Sequence, residues 1–203
     1  MARSRSKIFS NLSILLLGIA LSPALRAQEL ALGFDPNHTR VEFTLGGTVH
    51  TVHGTFALKH GSIRLDPATH EASGKIVVDA ASGNSGSEAR DRRMNREILE
   101  SDKFPEIVFT PDRFEGQIPA SGDFQLNVHG IFRLHGADHE MVLPVEAKRG
   151  PDGITAAIQF SIPYVSWGLK NPNTFFLRVS DQVEITIHTV AAPADAAAAD
   201  YPR

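Results

Sequence analysis

Histidine is the residue type whose number and placement first ask for a chemical explanation. The chain carries nine, and two groupings fall at spacings that metal sites use: His50 with His53, and His135-x-x-x-His139 followed by Glu140. Zinc held by an i,i+4 pair needs a helix that turns both imidazoles the same way. Here Gly136-Ala137-Asp138 reads as a turn and the residues on both sides alternate as strands do, so no metal is expected. His53, His60, His129 and His135 each precede a glycine, a habit of strand ends and bends. Nucleophilic and cofactor chemistry have no better footing. Cysteine is absent, which removes thiolate metal sites, disulfides and a Cys nucleophile. The sequence contains no Gly-x-Ser-x-Gly elbow, phosphate loop or dinucleotide fingerprint. Asp79, Asp91 and Asp181 have no partner assignable from spacing. The expectation is a binding protein and not an enzyme, with no catalytic residue, no metal and no cofactor beyond a non-covalent ligand.

The elements that must position any site are strands. Apolar residues occupy alternate positions in Val41/Phe43/Leu45, in Phe124/Leu126/Val128/Gly130/Phe132/Leu134 and in Met141/Leu143/Val145/Ala147. They do so again in Ile154/Ala156/Ile158/Phe160/Ile162 and Val183/Ile185/Ile187. Period two with polar residues between means strands with one dry face. Asp66-Pro67, Gly136-Ala137-Asp138 and Gly150-Pro151-Asp152-Gly153 punctuate them, so short turns join antiparallel neighbours. The 123–134 run is too long to stay straight, and Gly130 marks a bend or bulge. Val52-His53-Gly54-Thr55-Phe56-Ala57-Leu58 repeats the design of Val128 to Leu134. Two bent strands favour a closed barrel over a flat sandwich. One segment breaks the rhythm. Ser85 with Glu88 spells a capping box, and Glu88–Arg92, Arg93–Glu97 and Arg96–Glu100 stand at helical pairing distance. A short surface helix anchored by Met94 and Ile98 is expected there.

The ends read differently. Arg3, Arg5 and Lys7 precede the apolar run Ile8 to Leu21, and small residues up to Ala27 offer a cleavage site, the order of a secretory signal peptide. The run is too short for a good membrane span. Its removal takes four positive charges and no acid from a chain of net charge −3, leaving the remainder near −7. With no cysteine to lipidate, the remainder is expected to be soluble, in a bacterial periplasm or outside the cell, with no integral membrane segment. A pI of about 6.3 argues against nucleic acid as a partner. The expected organisation is residues 1–27 leader, 28–190 one barrel domain, and 191–203 a disordered Ala-rich tail.

The order of several short motifs resembles the YceI-like proteins. Asp35-x-x-His38-x-x-Val41-x-Phe43 is followed by Gly54-x-Phe56 and Gly61-x-Ile63. Arg92 to Leu99 and Ser101-x-x-Phe104-Pro105-x-Ile107-x-Phe109 come next. Gly130-x-Phe132-x-Leu134-His135-Gly136, Trp167-Gly168 and Val179-x-Asp181-x-Val183-x-Ile185 complete the set. The compact stretch Leu99 to Phe104 and the segment Pro172 to Arg178 depart from the commoner pattern. The resemblance implies an all-β, antiparallel lipocalin-like β-barrel with one short surface helix, enclosing a polyisoprenoid or similar amphiphile.

Two functions from different classes follow. The first is an exported lipid-binding protein that holds a polyisoprenoid, isoprenoid quinone or similar long-chain amphiphile for transport, storage or sequestration. Its lining would be Phe43, Phe56, Phe109, Phe124, Phe132 and Phe160. On alternation alone these rings filling the barrel is the simpler outcome; the resemblance points to a cavity. Its portal would be the loop from Pro163 to Arg178, with Tyr164, Trp167 and Phe175 meeting the tail and Lys170, Asn171 and Arg178 the head group. Those aromatics would equally serve as a cap on the core. Arg92, Arg93 and Arg96 on the helix could reach a head group too, although salt bridging is the simpler use for them. The second function is a packed-barrel stress-response or protein-interaction module without lipid. A homodimer is left open.

Overall fold

The structure is a computed structural model that describes residues 29–173 and 178–194. The expected leader, and the tail beyond residue 194, lie outside the described residues. Nine strands follow in chain order: β1 (Leu30–Leu45), β2 (Val52–Phe56), β3 (Leu58–Leu65), β4 (Ala72–Asp79), β5 (Glu106–Gly116), β6 (Gly122–Leu134), β7 (Ala137–Arg149), β8 (Ile154–Ile162) and β9 (Val183–Pro193). Each is antiparallel to its neighbours, and β9 returns to pair with β1. Only Ala57 separates β2 from β3, and the two pair with different halves of β1. The wall is therefore that of a closed eight-stranded antiparallel barrel, as the alternation predicts. The inward positions are the apolar ones: Leu126, Val128, Phe132 and Leu134 of β6 are buried, while Gln125, Asn127 and Arg133 between them are exposed.

Closure depends on a bend in β1. Its first residues pair with the end of β9 (Leu32↔Pro193 to Phe34↔Ala191) and its second half with the start of β9 (Thr39↔Thr189 to Thr44↔Glu184), with the register shifting between. The Asp35-x-x-His38 motif builds that shift. Asp35 Oδ1 accepts the Asn37 N–H at 2.8 Å, and Oδ2 meets His38 Nδ1 at 2.8 Å. The Asn37 N–H first, and His38 with it, hold the Asp35 carboxyl below the usual carboxylate range. The motif is thus a turn device on an exposed bulge.

Several local expectations are corrected. The tail boundary at 190 falls inside β9: Ala191 is 2% exposed and pairs with both Phe34 and Ile154. The bulge expected at Gly130 lies across the ladder on β5, where Pro111 pairs with Gly130 and Arg113 with His129, leaving Asp112 as the extra residue. The β6–β7 turn is His135-Gly136, with φ of 51° and 78°, and Ala137 already begins β7. Two successive positive φ values match a two-residue hairpin turn.

Between β4 and β5 the chain makes a short 3₁₀ turn (Ala80–Ser82), then α1 (Glu88–Arg93), which runs into one π-helical turn (Met94–Ile98). Met94 and Ile98 pack against the core as expected. The capping box does not form: Ser87 is the N-cap and makes no side-chain cap bond. Glu88–Arg92 and Arg93–Glu97 pair at 3.2 and 3.3 Å. Glu100 leaves Arg96 and binds Lys103 at 2.7 Å and His135 at 2.9 Å, because it lies past the end of the π turn with φ of 45°, off the helical path.

A Cβ on Gly130 would lie 2.4 Å from the Thr110 carbonyl oxygen and 2.8 Å from Pro111 Cα, backbone atoms that cannot swing aside. Gly130→Ala should cost about 2–3 kcal/mol, read from urea unfolding. The Lys103 and His135 contacts hold the Glu100 carboxyl below its usual range. The stability they add is complete above the unfolded carboxylate pKa of about 4.3 and drains as pH falls through the lower folded value. Urea midpoints of Glu100→Gln and the parent should differ at pH 7, and the difference should shrink as pH falls below about 4.3.

Candidate functional site

The inward faces of the strands do not meet in the middle. Two chambers remain along the barrel axis, with Ile107 in the wall of both. The lower chamber, about 140 Å³, lies between the mid-barrel and the end where β1 starts and β9 finishes. Its walls include Leu32, Val41, Leu126, Val128, Leu143 and Ile187 together with Phe109, Phe124, Phe132 and Phe160. Among the described residues its only hydroxyls, Thr39 and Thr189, bond to each other at 2.7 Å, so neither asks for water. A comparable apolar cavity of ~150 Å³ stays dry and accepts a hydrocarbon.

The upper chamber, about 230 Å³, lies under α1, the π turn and the β8–β9 loop. Phe43, Phe56, Met94, Leu134, Ile162 and Ile185 give it an apolar body. Unlike the lower chamber it also has polar and charged lining: His50, Ser85, Arg90, Arg93 and Tyr164. Together the two reach the lower end of the ~300–1,000 Å³ range of ligand pockets. All six phenylalanines expected to line the barrel face these chambers, Phe43 and Phe56 the upper one and the other four the lower.

The expected portal residues do not converge in this way. Tyr164 is buried in the upper wall, and its hydroxyl donates to the Ser180 carbonyl at 2.7 Å. Burial pushes its phenol up from the usual value, with Asp181 adding to the shift, and a protonated phenol suits that donor role. Lys170 is exposed, 3.6 Å from Glu97, and Asn171 accepts the Asn173 N–H at 3.0 Å. Arg178 ties the β8–β9 loop to the β1–β2 loop by its backbone, its carbonyl accepting the Thr48 N–H at 2.9 Å. Phe175 lies outside the described residues. Trp167 stacks on His139, ring centroids 3.8 Å apart and planes within 4°, with Phe132 at 6.0 Å.

That stack marks a place where the barrel wall opens. β7 and β8 pair only from Val145↔Ile158 to Arg149↔Ile154. The ladder stops at Pro144, which has no N–H to offer it. Trp167 packs on the stretch of β7 that β8 leaves, and the buried Nε2 of His139 has no hydrogen-bond partner there among the described residues. The two histidines considered as a metal pair thus have different surroundings, since His135 bonds to Glu100 and packs on Phe104. No cluster of three or more metal-ligating side chains occurs among the described residues.

Reasoning from sequence missed Arg90 and Ser85. Arg90 Nε donates to Ser85 Oγ at 2.7 Å and Nη2 to the Ser85 carbonyl at 2.8 Å. Ser85 in turn donates its N–H at 2.9 Å, and its hydroxyl, to Asp91 Oδ1. The signal was the Arg90-Asp91 pair at the head of the helix, whose aim the sequence does not reveal.

Comparison with known proteins agrees with this architecture. No curated protein resembles the sequence closely enough to count as a relative. Among solved structures, a polyisoprenoid binding domain from Saccharophagus degradans, described as implicated in plant cell wall breakdown, superimposes with a TM-score of 0.63. It is 20% identical, and the match covers 81% of this chain and 99% of that one. BcnA of Burkholderia cenocepacia gives a TM-score of 0.63 at 18% identity, covering 78% and 99%. The YCEI protein of Campylobacter jejuni gives 0.54 at 20% identity, covering 66% and 80%. The sequence profile of the YceI-like domain matches residues 33–191, from the bend of β1 to the last buried residue of β9. The chain therefore belongs to the YceI-like domain family.

Proposed function

We propose that this chain is an exported lipid-binding protein that holds the apolar tail of one polyisoprenoid, isoprenoid quinone or similar long-chain amphiphile in its lumen. Transport, storage or sequestration of that amphiphile would be its task. The observation that carries this reading is the asymmetry of the lumen, whose lower chamber is apolar throughout while the upper one adds polar and charged groups to an apolar body. Each methylene moved from water into the lower chamber contributes about 0.8 kcal/mol, whereas a head group placed there would lose its water and find only the paired Thr39 and Thr189 hydroxyls. The tail therefore points toward Leu32 and Ala191, and the head toward α1. The Saccharophagus degradans neighbour is described as a polyisoprenoid binding domain, which supports the class of ligand. Export rests on the leader-like residues 1–27. The reading involves no catalytic step.

Organic extraction of the purified protein, followed by mass spectrometry, should release a long-chain amphiphile in near one-to-one amount. Finding none, together with no change in Trp167 fluorescence on titration with polyprenols, quinones or fatty amides, would overturn the proposal. Ala156 lines the lower chamber, and Ala156→Trp should fill it. That variant should lower amphiphile affinity by at least about tenfold, since a few displaced methylenes at ~0.8 kcal/mol each suffice. Mass measurement of the chain recovered from a periplasmic fraction should place its first residue at Gln28; a chain retaining residues 1–27 there would count against export.

A further inference from the structure

We propose that Arg90 is the head-group residue of the lumen and that the ligand class it selects is an amphiphile with an anionic oxyanion head, a carboxylate or a phosphate. This rests on the lipid-binding reading above and adds the charge of the ligand to it. Arg90 is half-buried on the wall of the upper chamber. Its Nε and Nη2 are fixed by Ser85, while Nη1 has no partner among the described residues. No carboxylate lies within ion-pair distance of it among the described residues, although Arg92 and Arg93 on the same helix each have one. Asp91 does not fill that place. It stands behind Ser85, its Oδ1 occupied by the serine N–H and hydroxyl, and it lines the outer surface of the helix segment, not the chamber.

The surroundings add to the imbalance. Glu97 Oε2 is shared by Arg93 at 3.3 Å and Lys170 at 3.6 Å. Among the described residues the chamber wall thus carries two guanidinium groups, Arg90 and Arg93, and no carboxylate. A guanidinium pre-set by two hydrogen bonds, with an unused N–H beside an apolar chamber, matches an oxyanion arriving on the end of a hydrocarbon. Charge-assisted bonds are about twice as strong as neutral ones, and the fork needs no reordering to make them. A neutral alcohol or ester gains the burial of its tail but not this contact.

The test compares palmitate, hexadecyl phosphate, hexadecanol and methyl palmitate, titrated into delipidated protein by calorimetry and Trp167 fluorescence. Palmitate or hexadecyl phosphate should bind at least about tenfold more tightly than the two neutral amphiphiles. The stronger of the two anions identifies the head group. Arg90→Gln should erase that preference, lowering affinity for the anions at least about tenfold more than for hexadecanol; Arg90→Met, which keeps the stem's bulk, serves if Gln lowers the melting temperature. Equal binding of palmitate and methyl palmitate by the parent overturns the proposal, as does a preference that survives in both variants. If none of the four binds, the lipid-binding reading itself fails, an outcome distinct from the loss of charge selectivity alone.

Discussion

Closure of one antiparallel ladder on itself is the constraint from which the other features follow. β1 must serve β2 and β3 on one edge and β9 on the other, and a single straight strand cannot hold three partners around a curved wall. The bulge between Phe34 and Thr39, stapled by Asp35, resolves this by letting β1 change direction without leaving the closed ladder. Once the ladder closes, alternation has only one consequence: every second side chain lies inside, and the space left between those side chains is decided by their sizes. The interior is left hollow in two places, and small side chains at Ala147 and Ala156 line the lower one.

The lapse in the ladder between β7 and β8 is as informative as its closure. The two strands part at Pro144, and the β8–β9 loop sends Trp167 onto the stretch of β7 left uncovered. A large flat ring there shields both the lumen and the unsatisfied His139 nitrogen. The loop is itself pinned, by Tyr164 to Ser180 and by Arg178 to Thr48. The aromatic residues described in this loop therefore act first as wall, and the charged groups of the upper chamber, Arg90 and Arg93, come from the helix segment.

Much of this was readable along the chain. The six inward phenylalanines, the anchors Met94 and Ile98, and the Glu88–Arg92 and Arg93–Glu97 pairs all depend on spacing within a few residues, and the structure places them as the spacing predicts. Where expectation failed, a distant group had intervened. Ser85 looked like a helix cap, but Arg90 and Asp91 together engage its hydroxyl. Gly130 looked like a bulge, yet its missing side chain makes room for a bulge on β5. The strand end Ala191-Ala192-Pro193 looked like the start of a tail because small residues carry little hydrophobic signal; Phe34 and Ile154, the partners of Ala191, decide its fate.

Neighbours along the chain were enough to set the alternation, hence the barrel's inside and outside, and the position of its one helical segment, because period and local pairing act over a few residues. The hollow interior, the parting of β7 from β8, and the placement of Arg90 on the lumen without a carboxylate arose only on folding. Those properties depend on which side chains meet across the barrel, and residues far apart in sequence carry no local sign of the distance between them in space.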